Sequence, residues 1–166
     1  LRDFLLSNLK SPDESRHMVP LFLKRLLQLT DYRENLQLID FQGLEHLQQC
    51  AVLWHTQLYH FSGLAAENES VRCLAASDFL QQPNPLVRRA LDHFELPCDA
   101  ERLDELAESG PLSHHSKSGD RFDAGARADQ NAALAAQYSK ELDDTLHWMD
   151  GLLSRLPIDL PLQPQL

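Results

Sequence analysis

The segment Leu44–Ala65, LEHLQQCAVLWHTQLYHFSGLA, decides the fold of this chain. Large apolar residues recur along it at intervals of three and four over about six turns, which is the period of one helix face. This spacing predicts a long core helix that ends near Asn68. Its apolar stripe consists of Leu44, Leu47, Ala51, Trp54, Leu58, Phe61 and Ala65.

Shorter helices are predicted before this segment. Leu1, Leu5 and Leu9 share one helical face at the start of the chain. A second stripe with helical spacing follows, and Pro20 is expected in the first turn of that helix, where its missing N–H is tolerated. This stripe consists of Val19, Phe22, Leu23, Leu26 and Leu27.

Helices also dominate the second half of the sequence. Asn84 is expected to cap a helix that has Pro85 at its first position and ends before Pro97. Asp99 is expected to cap another short helix. One final long helix, stopped by Pro157, is predicted from the stripe Ala135, Tyr138, Leu142, Leu146, Met149, Leu153 and Leu156.

Only the segment 71–76, VRCLAA, has the composition of a mostly buried strand. Residues 112–125 are rich in Ser, His, Lys and Gly, and we expect a polar basic surface loop there. Residues 157–166 form a Pro-rich tail. The sequence therefore predicts a single, mainly α domain over residues 1–156, with one or two short strands.

Composition excludes several classes of function. The chain has 166 residues, 43% of them hydrophobic, and a net charge of −10, which disfavours nonspecific binding to nucleic acid or to an anionic membrane. No apolar run approaches the roughly 18–20 residues that cross a bilayer. Cys50, Cys73 and Cys98 form no CxxC pair, so no disulfide framework or zinc site is indicated. We expect a cytoplasmic protein.

The first seven residues, LRDFLLS, suggest a phosphate site. Arg2, Asp3 and Ser7 could cluster near a helix N-terminus, where a hydroxyl and a guanidinium can hold a phosphate oxygen. The alternative is that all three are ordinary solvated side chains. We also expect the chain to begin in the middle of a larger fold, because one strand among five or six helices is unusual for a complete domain.

Several short motifs follow one another in a specific order. Asp3–Ser7 has the pattern D-x-x-x-S, and the predicted long helix contains Trp54. The predicted strand then leads to an acidic turn at Ser77–Leu80, followed by a proline and a short helix that ends in Ala90–Pro97. In this order the motifs resemble the C-terminal part of the P-loop sulfotransferase family, particularly its bacterial members.

The polar loop extends the resemblance towards the end of the chain. His114–Phe122 precedes the closing helix with Trp148, and Lys117 and Gly119 loosely match the Arg-Lys-Gly of better-known members. The family pattern R-x-P-x-D-x-x-x-S also has an Arg before its Asp, which is absent here, and no Gly-rich phosphate-binding loop occurs in this sequence.

The resemblance implies the C-terminal half of an α/β sulfotransferase-like fold that lacks its P-loop. It further implies that Ser7 binds the 3′-phosphate of 3′-phosphoadenosine-5′-phosphosulfate (PAPS), or of its product 3′-phosphoadenosine-5′-phosphate (PAP), with Lys117 or Arg121 closing over it. The sulfuryl group would pass to a hydroxyl or amine of a small-molecule or carbohydrate acceptor. A missing N-terminal half would be the partner, and this chain alone is predicted to be inactive.

The remaining histidines, acidic residues and tryptophans give weaker indications of function. His55 and His60 are about 140° apart on a helix, so a shared metal is excluded and surface or groove positions are expected. His114 and His115 could supply a general base or could be a solvated pair. The acidic side chains of the final helix are expected on its wet face, and both tryptophans in the core. These acidic residues are Glu141, Asp143 and Asp144, and the tryptophans are Trp54 and Trp148.

A second class of function remains open, namely a helical protein-interaction module without chemistry that binds partners through an apolar face. Such a module has no need for Lys117 and Arg121 to converge on Ser7. Proximity of these three groups would favour the sulfotransferase. The sequence indicates neither the acceptor nor the catalytic base.

Overall fold

The computed structural model describes residues 1–29, 43–74, 76–97, 99–108 and 123–158. These residues are mainly helical and contain no strand, which confirms the mainly α prediction. None of the helices among them is both long and apolar enough to span a bilayer. In order, the helices are α1 (Arg2–Leu9), α2 (Pro12–Leu29), α3 (His46–Glu67), α4 (Ala76–Gln81), α5 (Pro83–His93), α6 (Ala100–Glu108), α7 (Ala124–Gln137) and α8 (Ser139–Leu153).

The chain divides into two compact units. Among the described residues, the first unit contains Leu1–Glu69 and the stretch from Ala128 onward, and the second contains those between Ser70 and Arg127. The single domain expected over residues 1–156 stays a prediction.

The first unit is built around α3. Helices α1, α2 and α8 all pack against it, and α1 also contacts α2 and α8. The backbone N–H of Glu45 donates to the side-chain oxygen of Gln48 at 2.9 Å, which fixes the start of α3, and the helix ends at Glu67 with Asn68 as its C-cap, close to the predicted end. The core of this unit consists of Leu5, Leu6, Leu9, Val19, Leu23, Leu47, Cys50, Ala51, Val52, Leu53, Leu142, Met149 and Leu152.

Helix α2 departs from the prediction in two respects. It begins at Pro12, so Pro20 lies inside the helix rather than in its first turn. A proline there removes one backbone hydrogen bond, and burial of the neighbouring Val19 and Leu23 offsets this cost. Phe22, predicted in the apolar stripe, is 49% exposed.

The second unit contains α4, α5 and α6, with α5 packed against both of the others. Its fully described buried side chains include Leu86 on α5 and Leu103 on α6. Asp99 Oδ1 accepts the backbone N–H of Glu101 at 3.1 Å, which confirms the predicted cap of α6. The predicted cap of α5 is wrong, because Gln82 is the N-cap and the helix starts at Pro83.

The predicted strand at residues 71–76 is also wrong. Val71–Leu74 have no regular secondary structure, and α4 begins at Ala76. A strand exists only as part of a hydrogen-bonded sheet, and this segment was the only strand candidate in the sequence. Leu74 is 42% exposed rather than buried.

The final predicted helix is interrupted. Tyr138, with φ −111° and ψ 28°, separates α7 from α8, so the stripe from Ala135 to Leu156 spans two helices. Asp123 Oδ1 accepts the backbone N–H of Ala126 at 3.0 Å, and α7 starts at Ala124, one residue before the expected end of the polar loop. The rest of that loop and the tail beyond Ile158 lie outside the described residues.

Candidate functional site

Helix α1 presents the hydroxyl of Ser7 to solvent. Its apolar face, with Leu5, Leu6 and Leu9, is buried in the core, and Ser7 is exposed on another side. Asp3 lies one turn before Ser7 and therefore shares its side of the helix. Ser7 is in the last turn of α1, so its hydroxyl is not at the helix N-terminus where an anion is favoured.

Arg2 does not join this group. It precedes Ser7 by five positions, which places it about 140° away around the helix. Its guanidinium instead lies 3.9 Å from the carboxylate of Asp143 on α8, and both side chains are exposed. The predicted cluster of Arg2, Asp3 and Ser7 near the helix start is therefore wrong, and only the last two share a side.

The basic partners proposed for Ser7 lie outside the described residues. These are Lys117 and Arg121, together with the candidate general bases His114 and His115. Their convergence on Ser7 stays a prediction.

The acidic residues of α8 lie on its solvent-exposed face, as predicted. Glu141, Asp143 and Asp144 are all exposed, and Asp144 accepts a hydrogen bond from Lys140 Nζ at 2.6 Å. This pair raises the pKa of the Lys140 ammonium. Asp143 and Asp144 are engaged with cations on the surface, which is the expected arrangement for a solvated helix face.

Both tryptophans belong to the core of the first unit. Trp54 and Trp148 are half-buried and pack against the buried cluster around α3. The predicted placement of both tryptophans in the core is therefore confirmed.

A chain of polar side chains that sequence reasoning missed runs from α3 through α2 to α1. Cys50 Sγ lies 3.7 Å from His46 Nε2 and 3.8 Å from Ser15 Oγ. The Ser15 hydroxyl donates to Asn8 Oδ1 at 2.7 Å, and Asn8 Nδ2 donates to the Phe4 carbonyl at 2.9 Å. Three helices are thus joined by one continuous line of hydrogen-bonding groups.

The donors along this line can be assigned from their chemistry. Since Ser15 has one hydroxyl proton and gives it to Asn8, its oxygen can only accept from the Cys50 thiol. The sulfur can then accept from an Nε2–H of His46. Every bond in the line runs in the same direction, which requires Cys50 to be a protonated thiol.

The Cys50–His46 pair has the residue types of a nucleophilic dyad but not its electrostatics. Burial raises the pKa of the Cys50 thiol to about 11, and the side chain is fully enclosed. Burial and the nearby Arg16 guanidinium lower the pKa of His46. A reactive cysteine needs an accessible thiolate beside a cation, so this pair is structural.

His55 is fully buried, which corrects its expected place at a surface or groove. Its Nε2 lies 3.0 Å from the Leu156 carbonyl oxygen, beyond the end of α8. A carbonyl can only accept, so Nε2 carries the proton. Burial lowers the pKa of this imidazole, while the bond to Leu156 opposes that shift.

His55 and His60 therefore have different surroundings, although both lie on α3. His60 is only half-buried, in contrast to the enclosed His55. In the part of the chain that the structure describes, no group of three or more His, Cys, Asp or Glu side chains could hold a metal ion.

The end of α5 forms a turn with large apolar side chains in solvent. The N–H of Leu96 donates to the Leu91 carbonyl at 2.9 Å and that of Glu95 to the Asp92 carbonyl at 3.1 Å, which are the two bonds of a Schellman motif. Glu95 takes the left-handed conformation, with φ 55°. Phe94 is 66% exposed and Leu96 is 52% exposed.

Comparison with known proteins found no family model, curated protein or solved structure that matches this chain.

Proposed function

We propose that this chain is the part of a sulfotransferase-like protein that holds the 3′-phosphate of PAPS or PAP and contacts the acceptor. The observation that carries the proposal is the position of Ser7. Three buried leucines fix the opposite face of α1, so the hydroxyl of the D-x-x-x-S motif is held in solvent on a supported helix. A phosphate can reach it without rearrangement of the core.

The order of helices agrees with the resemblance apart from the strand. The long α3 is followed by the short helices α4, α5 and α6, and α8 closes the chain of described helices. In the proposal, the N-terminal half of the same fold supplies the loop for the 5′-phosphosulfate.

Charge near Ser7 makes the basic loop essential to this proposal. Asp3 lies one turn away on the same side and repels a phosphate, while Arg2 faces Asp143. In the proposal, Lys117 and Arg121 supply the positive charge. Two or three charge-assisted hydrogen bonds of about 1.5–3 kcal/mol each barely offset the cost of association, so roughly millimolar affinity for PAP is expected.

Titration of the ¹⁵N-labelled chain with PAP tests the proposal. We expect saturable amide shifts around Ser7 that weaken as salt is raised, because exposed charges are screened. Ser7→Ala and Lys117→Ala should each weaken binding about tenfold or more. The matched variants Ser139→Ala and Lys24→Ala remove an exposed hydroxyl and an exposed ammonium elsewhere and should leave affinity unchanged.

Two outcomes would contradict this assignment. Binding that both Ser7→Ala and Lys117→Ala leave intact would show that the phosphate site is elsewhere or absent. Sulfuryl transfer from PAPS by the 166-residue chain alone would contradict the expectation that it is inactive.

The second candidate is a helical protein-interaction module without chemistry, and a specific observation favours it. Phe94 and Leu96 extend into solvent from a hydrogen-bonded turn of the second unit. Aromatic side chains exposed in this way are frequent anchors of protein interfaces. Partner binding that requires Phe94, together with no detectable PAP binding, would favour this candidate.

A further inference from the structure

Phe94 is the most exposed large apolar residue in the part of the chain that the structure describes, and it lies on the turn after α5. This turn, Phe94, Glu95 and Leu96, is here called the apolar turn. Two large apolar side chains flank the left-handed Glu95 and are 66% and 52% exposed. Scattered single exposed residues are normal in proteins, whereas two on one three-residue turn place a larger apolar area in solvent at one position of the fold.

The apolar turn is already held in one conformation. The backbone N–H groups of Glu95 and Leu96 donate the two hydrogen bonds of the Schellman motif. In addition, Nε2 of the preceding His93 lies 2.8 Å from the Ser70 carbonyl oxygen, and this contact ties the end of α5 to the segment that follows α3. Binding to a fixed surface avoids much of the ordering cost of binding to a mobile one. The apolar turn can therefore receive a partner without folding first.

The charges around the apolar turn indicate what kind of partner fits. The carboxylates of Asp92, Glu95 and Asp99 are exposed within a few residues of Phe94. The nearest cations in sequence, Arg88 and Arg89, lie a turn earlier on α5. Exposed carboxylates close to exposed apolar side chains are complementary to a segment that carries both apolar and basic side chains.

The same charges disfavour other occupants. A second copy of this chain would bring like carboxylates together, on molecules that each carry a net charge of −10. An anionic membrane would be repelled for the same reason. We infer that the apolar turn docks a peptide segment in which large apolar side chains alternate with Lys or Arg. This inference rests on the interaction-module candidate and is independent of the phosphate site.

The probe for this inference is a designed peptide, LKKLLKL, compared with its acidic counterpart LEELLEL. Amide shifts of the ¹⁵N-labelled chain report the site, and we expect the basic peptide to perturb Phe94, Glu95 and Leu96 while the acidic peptide does not bind. The double variant Phe94→Ser with Leu96→Ser should weaken binding about tenfold. Both side chains are exposed, so this variant should keep its helical circular dichroism.

A matched control variant distinguishes peptide binding at the apolar turn from nonspecific binding to exposed apolar side chains. Leu21 and Phe22 on α2 are 53% and 49% exposed, and Leu21→Ser with Phe22→Ser removes a similar apolar surface from the first unit. This variant should bind the basic peptide as well as the original chain does. Asp92→Asn with Glu95→Gln should weaken binding several-fold and reduce its salt dependence.

Three results would overturn the inference. The first is equal loss of peptide binding in both double serine variants, and the second is peptide shifts located away from the apolar turn. The third is a self-associated chain, measured by sedimentation, that Phe94→Ser with Leu96→Ser dissociates. Titration of the same variants with PAP distinguishes failure of the peptide-docking inference from failure of the sulfotransferase proposal. The variants of the apolar turn should leave the PAP-induced amide shifts around Ser7 unchanged.

Discussion

Replacing Glu95 with glycine is expected to stabilise the second unit. Glu95 has φ 55°, a conformation in which the Cβ of an L-residue crowds the backbone at a cost of roughly 1–2 kcal/mol. Glycine removes that cost but loses about 0.5–1 kcal/mol more conformational entropy on folding. The net gain is therefore about 0.5–1 kcal/mol in the free energy of unfolding.

Hydrogen exchange measures this gain at the place where it arises. The N–H groups of Glu95 and Leu96 donate the two bonds that close the turn, so the exchange of the Leu96 amide should slow roughly two- to fivefold in Glu95→Gly. Glu95→Ala is the control, because it removes the carboxylate but keeps Cβ. Equal exchange rates in the glycine and alanine variants would refute the conformational explanation and leave only the lost carboxylate.

Other expected outcomes follow from the first unit. Leu142 is fully buried, so Leu142→Ala should lower the free energy of unfolding by about 2–5 kcal/mol in urea denaturation followed by tryptophan fluorescence. Burial lowers the pKa of His55, so the unfolded chain binds a proton more readily than the folded one. Stability should be complete above about pH 6.5 and decline as the pH falls towards the lowered pKa, and a His55 imidazole whose pKa by NMR is not lowered from the ordinary histidine value would contradict this. In a Cys98→Ser background, a thiol reagent should modify the half-buried Cys73 first and reach Cys50 only on unfolding, and prompt modification of both would show that Cys50 is accessible.

Helical spacing was enough to locate most helices. The stripe around Trp54 predicted α3 to within about two residues, because apolar residues that keep one period over six turns are typical of a long helix packed along one face. Local chemistry was less reliable at helix starts. The cap at Asp99 was predicted correctly, whereas the cap predicted at Asn84 was wrong, because that helix already starts at Pro83.

Features that depend on distant residues could not be found in this way. The strand at residues 71–76 needed a neighbour that no local pattern supplies. The buried His55 forms its hydrogen bond with Leu156, which is 101 positions away. The line of hydrogen-bonding groups depends on the contact between Ser15 and Cys50, which lie on two different helices. The i, i+4 spacing of His46 and Cys50 was visible in the sequence, but only the structure shows that the thiol of Cys50 is enclosed.

The first unit is discontinuous along the chain, and this has a consequence for its synthesis. Helices α1 to α3 leave the ribosome well before α8, which completes the core around α3 and supplies Leu142, Met149 and Leu152. At roughly 5–20 residues per second, translation of the intervening stretch Ser70–Arg127 takes on the order of 3–12 seconds. During that interval α8 has not yet been synthesised, so the apolar side of α3 that later packs against α8 is not buried by it. We therefore expect the nascent chain to depend on chaperone protection until translation passes α8.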